Sequence, residues 1–336
     1  MWCPIELAAT TSQMCISVVI PCYNSAPYIE RAVRSVIKQT HQDWKLIVVD
    51  DGSTDQSADI VKQFDDSRIT LLQQQNRGVS FARNRGVEVA DTEWVAFLDA
   101  DDEWAPTFLQ EVVSAISEYP QAVVIFTDYV VSPSGVVGLA HLPDIPVLVS
   151  DYFDFVLSNR REMCSSCCVI KKSVLQRVGG FPVGVTHGED TDTWVRLAWV
   201  GEFVCIPRPL SVYHTNIPDS ATKIPLARRI GTPQPWITYC EWSRKGLIPK
   251  AKVRSTEKFM GSMMFRHALD LLDVGLKPQA RAVLSDLEKI EMSPRLRRLL
   301  KVLVALPFRT GSKIWKAAVA IKQFLDRRGV RLRVPL

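Results

Sequence analysis

The sequence predicts an α/β protein built on a doubly wound, mostly parallel sheet and followed by a helical C-terminal region. Three observations carry that prediction. Short β-branched runs alternate with helically spaced apolar residues through the first half of the chain; each run closes in a polar turn; and beyond residue 240 the spacing turns helical throughout. With 336 residues, 47% of them hydrophobic and 23% charged, the chain can bury a full core.

Taken in order, Ile16 to Pro21 (ISVVIP) is a β-branched run closed by proline, as a buried strand of a parallel sheet should be. Tyr23, Asn24 and Ser25 form a polar turn, and Ile29, Ala32, Val33, Val36 and Ile37 are then spaced as a helix. Trp44 to Val49 reads as a second strand ending in Asp50-Asp51-Gly52-Ser53-Thr54-Asp55, with a helical pattern through Ala58, Ile60, Val61 and Phe64. Ile69 to Leu72 is a third strand, Gly78 to Val89 a helix, and Trp94 to Leu98 a fourth strand.

Phe108 to Tyr119 reads as a helix, Ala122 to Val131 as a strand, and Gly135 to Ile145 as a loop or hairpin. The alternation then fades into strand-like Cys167 to Ile170, a helix at Ser173 to Val178, and the acidic stretch HGEDTDTW before a helical run. Acids there suit the positive end of a helix dipole, so capping alone would account for them. Three prolines in 225–240 mark a boundary, and helices are expected at Phe259 to Leu272, Lys277 to Ile290, Pro294 to Leu306 and Ser312 to Phe324. This gives three parts: an N-terminal extension (1–14), an α/β domain (15–235) and a basic helical region (236–336).

The net charge of +5 conceals an asymmetry: residues 1–240 hold 19 Lys and Arg against 28 Asp and Glu, whereas residues 241–336 hold 22 against 8. The eight cysteines are scattered, several inside apolar runs, and read as free thiols of a reducing compartment. Cys164 and Cys167 make one CxxC with no second half, which is too little for a zinc site. The N-terminus lacks a basic segment ahead of its apolar residues, and nothing later gives eighteen uninterrupted apolar positions. The expected compartment is the cytoplasm.

The densest chemistry lies in Val95 to Trp104 (VAFLDADDEW), where Asp99, Asp101 and Asp102 crowd the carboxyl end of a strand. Open α/β sheets bind ligands at that edge. Three carboxylates so close need water, hydrogen bonds or a cation to offset their repulsion. No GxGxxG follows the first strand and no GxxxxGK[ST] occurs, so phosphates would have to be held through a divalent ion, Mg²⁺ or Mn²⁺, on oxygen ligands. A solvated acidic turn is the plain alternative.

The set VVIPCYN (18–24), VVDDGSTD (48–55), NRGVSFARNRG (76–86), FLDADD (97–102) and GED (188–190) with Trp194 and Arg196 resembles the family-two glycosyltransferases, inverting enzymes with the GT-A fold. The resemblance covers roughly residues 15–215. It implies transfer of one sugar from a nucleotide-diphosphate sugar, UDP-linked first, to an acceptor hydroxyl on a glycan or lipid carrier. Asp51 then resembles the residue that accepts a hydrogen bond from the base, with Pro21, Tyr23 and Asn24 lining the same pocket. Arg83 resembles the residue beside the diphosphate, Asp101 the one facing the ribose, and Asp102 the metal ligand, with His214 as a second metal candidate. Asp190 matches the catalytic base.

No QxxRW motif follows the base, so the implied enzyme is non-processive. A sugar nucleotidyltransferase should carry a glycine-rich loop where this chain has PCYNSAP, and a catalytically silent nucleotide-binding protein should have lost some of the acids. The basic stretch 292–336 suits either an anionic membrane surface or a helical cap with its lysines in water. It lacks the aromatic interleaving of a nucleic-acid binder.

Overall fold

A computed structural model describes residues 14–290 except 140–141, 160, 186, 218–230 and 288–289. The helices expected at 294–306 and 312–324, and with them the 292–336 stretch, lie outside the described residues. The described chain divides into two compact units. One holds residues 14–148, 163–180 and 204–214; the other holds 149–162, 181–203 and the described residues from 215 onward.

The first unit is organised on a mixed sheet. Its opening strands β1 (Ile16–Cys22), β2 (Trp44–Asp50) and β3 (Ile69–Gln73) alternate with helices α1 (Ile29–Ile37), α2 (Ser57–Lys62) and α3 (Val79–Val89). Then come β4 (Trp94–Phe97), the two-residue β5 (Glu103–Trp104), α4 (Phe108–Glu118), β6 (Ala122–Ser132), β7 (Val136–Val137) and β8 (Val147–Val149). β6 and β7 form the expected hairpin, with Val130 opposite Val137. The strand order is β3-β2-β1-β4-β9-β6-β10-β5, where β9 is Cys168–Lys171 and β10 is Glu202–His214.

The first four strands in space are parallel, and β1, β2 and β4 are buried nearly throughout, which is why their sequences are unbroken apolar runs rather than alternating ones. Helix α3 sits hard on β1: a Cβ added at Gly86 would stand 2.4 Å from Cγ1 of Val19, so only glycine permits that approach. The parallel pairing brings Cys22 level with Asp50 and Val19 level with Phe97. The polar turns after β1, β2 and β4 therefore emerge along one edge of the sheet.

β9 runs antiparallel to both β4 and β6, with Ala96 opposite Val169. It leads directly into α6 (Lys172–Arg177), one residue from the expected start.

In the second unit, α5 (Tyr152–Asn159) and α7 (Glu189–Val200) precede α8 (Gln234–Arg244), α9 (Lys250–Asp273) and α10 (Lys277–Asp286). Phe153 of α5 packs against Trp199 of α7 and Phe259 of α9. Two of the prolines at the expected boundary start α8: Pro233 caps it and Pro235 occupies its first turn, where the missing N–H is not needed. No described helix is long and apolar enough to cross a membrane.

Candidate functional site

The turns at the carboxyl edge are stitched to one another before any ligand is considered. After β1, Asn24 takes φ of 47°, a left-handed conformation that asparagine tolerates, and its Oδ1 accepts from Thr54 N–H (2.8 Å) and the Thr54 hydroxyl (3.3 Å). Its own N–H donates to Ser53 Oγ (2.9 Å), and Ala26 N–H donates to Asp55 (2.9 Å). Tyr23 stands half exposed beside it, at 50%, and Pro21 is the penultimate residue of β1.

Asp51 is buried, and three groups already donate to its carboxylate. Gln74 Nε2 (2.7 Å) and Arg77 N–H (3.0 Å) reach Oδ1, and Gly78 N–H (2.7 Å) reaches Oδ2. Gly52 makes room for this loop: its φ is 78° and a Cβ would come 2.9 Å from Asn76 N. Asp51 thus anchors residues 74–78, a role sequence reading did not give it, and keeps limited accepting capacity for a base.

Arg83, on α3, is buried and its Nη2 donates to Asp99 Oδ1 at 2.7 Å. Asp99 remains partly exposed, its side chain at 26%, so the pair faces outward at one end. Asp101 has its carboxyl pushed up to about 6, first by burial and then by the neighbouring charge of Asp99. Its backbone carbonyl accepts a hydrogen bond from Arg31.

Asp102, the expected metal ligand, lies deepest of the three aspartates. It is wholly buried, Ser166 Oγ donates to its Oδ2 (2.5 Å), and His214 N–H donates to its Oδ1 (2.9 Å). Burial, followed by the charges of Asp99 and Asp101, raises its carboxyl well above the usual range. Both oxygens are engaged inside the protein, so among the three aspartates the outward charge falls to Asp99 and Asp101. The His214 ring lies against Glu103, Nε2 to Oε1 at 3.0 Å. With Nε2 as the donor, Nδ1 keeps the lone pair a metal ligand requires, held by a carboxylate partner as such histidines usually are.

In the second unit, α7 begins after Gly188, whose φ is 75°. Asp190, in the first turn, accepts at Oδ1 from Thr191 N–H (2.6 Å) and the Thr191 hydroxyl (3.3 Å). Asp192 points inward and is buried with Arg196: Arg196 Nε and Nη2 both reach Oδ2 at 2.8 Å, and the Thr238 hydroxyl reaches Oδ1 at 2.5 Å. Sequence reading missed Ser166, Glu103 and this buried pair. The Asp192/Arg196 spacing of four on one helix was the available signal for the last.

The parallel strands, the stitched turns and the acidic edge invite comparison with known proteins. The model for "Glycosyl transferase family 2" matches residues 17–179. That stretch, just under half of the chain, is similar to the family-two glycosyltransferases. An uncharacterized glycosyltransferase of Nostoc sp. is 36% identical over 191 residues, 51% of this chain and 54% of its own length. The Escherichia coli UDP-Glc:alpha-D-GlcNAc-diphosphoundecaprenol beta-1,3-glucosyltransferase WfgD is 39% identical over 100 residues, 30% of this chain and 40% of its own. The chain thus spans about half, or less, of the lengths of these relatives. The crystal structure of Staphylococcus aureus TarS 1–349 in complex with UDP-GlcNAc superposes with a TM-score of 0.71 at 18% identity, covering 94% of this chain and 92% of that one. The architecture is the GT-A fold of TarS.

Proposed function

We propose that this chain is a metal-assisted, inverting glycosyltransferase that moves one sugar from a nucleoside-diphosphate sugar, UDP-linked first, to a hydroxyl of a glycan or lipid-linked acceptor in cell-surface polysaccharide or glycolipid synthesis. The observation that carries the reading is the carboxyl edge of the first unit, where Asp51, Arg83, Asp99 and Asp101 follow the ends of adjacent strands or pack beside them. The TarS complex with UDP-GlcNAc supports the choice of donor. WfgD, named for a diphosphoundecaprenol acceptor, supports the acceptor class.

The acidic turn fits a divalent ion. Its donors are hard oxygens, two of its carboxyls are raised by mutual charge and burial, and a cation relieves both effects. Among the described residues no three His, Cys, Asp or Glu side chains converge to hold an ion unaided, so most ligands would come from diphosphate and water. Asp99 and Asp101 would supply the protein's two ligands, with Asp102 and His214 as the alternatives read from the sequence. When bound, the ion neutralises charge on the departing diphosphate.

The protein's own groups divide the rest. Asp51 and its loop receive the base beside Tyr23, and Arg83 holds Asp99 and adds positive charge beside the diphosphate. Asp190 takes the acceptor hydroxyl's proton as that oxygen attacks the anomeric carbon from the face opposite the nucleotide. Residues 292–336 supply the basic surplus to hold the chain at an anionic membrane surface.

The test is turnover of UDP-Glc, UDP-GlcNAc and GDP-mannose with Mn²⁺ or Mg²⁺, in the native chain and in Asp190→Asn. Donor consumption that vanishes in Asp190→Asn while UDP binding persists is expected. Undiminished turnover in that variant refutes Asp190 as base, and absence of any donor response with either metal refutes the transferase reading.

A further inference from the structure

Ser166 belongs to no motif, yet several of the contacts that shape the acidic turn pass through it. It is wholly buried in the single 3₁₀ turn Ser165–Cys167 that precedes β9. Because β9 is antiparallel to β4 with Ala96 opposite Val169, continuing that register past the strand ends sets Ser166 opposite Asp99. A parallel strand in this place would bring its own carboxyl-terminal residues there instead of Ser166.

The hydroxyl works in both directions. It accepts from Asp99 N–H (3.1 Å) and donates to Asp102 Oδ2 (2.5 Å), and the Ser166 carbonyl accepts from Trp104 Nε1 (2.7 Å). One residue therefore ties down the first aspartate of the turn, the last one, and the strand that follows. Asp102 relays the hold to the end of β10 through His214 N–H (2.9 Å). The 3₁₀ turn is itself fixed by its two thiol residues: Cys167 Sγ donates to Cys164 O (3.0 Å), and Cys164 N–H donates to Cys167 Sγ (3.2 Å).

We propose that Ser166 is a positioning residue for the diphosphate–metal end of the site: by bridging Asp99 N–H and the Asp102 carboxylate it fixes the turn so that the Asp99 and Asp101 carboxylates converge on a divalent cation bound to a nucleoside diphosphate. This rests on the metal-assisted reading above. In it Asp102 serves as an internal strut, its oxygens engaged by Ser166 Oγ and His214 N–H rather than by the ion. The base end of the site, built on Asp51 and the 74–78 loop, does not depend on Ser166.

That separation supplies the experiment. Calorimetric titration of the full chain with UDP, and in parallel with GDP, is run with and without Mn²⁺ on the native protein, Ser166→Ala, Ser166→Cys and Ser166→Thr. Ser166→Cys keeps the buried volume and substitutes a weak donor, so it carries the test should the alanine variant fold poorly. Loss of a hydrogen bond to a charged group should cut the Mn²⁺-dependent gain in affinity by about tenfold or more in Ser166→Ala and Ser166→Cys. Metal-free UDP affinity should stay within about threefold, and Ser166→Thr, which keeps the hydroxyl, should restore the gain. A native chain that gains affinity from Mn²⁺ together with alanine and cysteine variants that gain equally overturns the positioning role alone. A native chain that gains nothing from Mn²⁺ with either nucleotide overturns the metal reading and this role with it.

Discussion

Replacing Asp51 should reveal a structural duty hidden inside a residue proposed to receive the base. Its carboxylate receives Gln74 Nε2 and Arg77 N–H on one oxygen and Gly78 N–H on the other. Asparagine can keep its oxygen toward the first two donors but must turn its amide against Gly78 N–H. One charge-assisted bond is lost and two donors are opposed, a cost of about 2–3 kcal/mol. Alanine removes all three acceptor contacts, and because Arg77 and Gly78 are exposed water restores some of them, leaving about 3–5 kcal/mol. With a urea dependence of about 2 kcal/mol/M, Asp51→Asn should lower the unfolding midpoint of its unit by about 1–1.5 M. Hydrogen exchange at the Arg77 and Gly78 amides should accelerate alongside. A midpoint within about 0.2 M of the native value, with those amides still protected, would refute the anchoring argument.

Two further outcomes follow from buried and partly buried charges. Removing one partner of Asp192/Arg196, as in Asp192→Asn or Arg196→Met, should destabilise the second unit by about 3–5 kcal/mol, whereas Asp192→Leu combined with Arg196→Met should cost less than either alone in urea unfolding. An additive double variant would show that the pair is not coupled. Burial raises the Asp55 carboxyl, but the Ser57 hydroxyl and the Ala26 and Ser57 N–H groups outweigh it and hold the group below its ordinary value. Its stabilisation is therefore complete above the unfolded pKa of about 3.9 and lost as pH falls through the lower folded value. Unfolding midpoints of native chain and Asp55→Asn should differ at pH 7 and converge near pH 2; a gap that is unchanged at pH 2 would place the effect elsewhere.

Much of the fold was legible because strands buried on both faces leave unmistakable apolar runs, and each ended at a residue that cannot continue the pattern: Pro21, Asp50, Asp99. The acidic edge was legible for the same reason, since three carboxylates after VAFL have no place in a core. Strand direction was not. CVIK is four residues long and says nothing about whether it runs with or against its neighbours, yet the answer determines what faces Asp99. Ser166 was invisible because its bond to Asp102 spans 64 positions, and nothing local distinguishes it from Ser165. Asp102 was assigned to the metal from the family resemblance, and its bonds to Ser166 and to His214 N–H, 64 and 112 positions away, had no local signal. Helix α8 was lost to its prolines, which are helix breakers in the interior and acceptable starts at the first turn.

The struts of the acidic turn also set a schedule. Asp102 leaves the ribosome long before its partners, one of which follows 64 positions later and the other 112. At about 5–20 residues per second, the crowded carboxylates wait roughly 6 to 22 seconds for the end of β10 to be made. Through that interval the nascent sheet carries this crowded acidic stretch without its Ser166 and His214 struts, opposed by Arg83 and Arg31, which are already synthesised. Ordering of the acidic edge should therefore wait until His214 has been made, and fragments ending before it should retain the β1–β4 core while leaving the aspartates open to solvent and to stray cations.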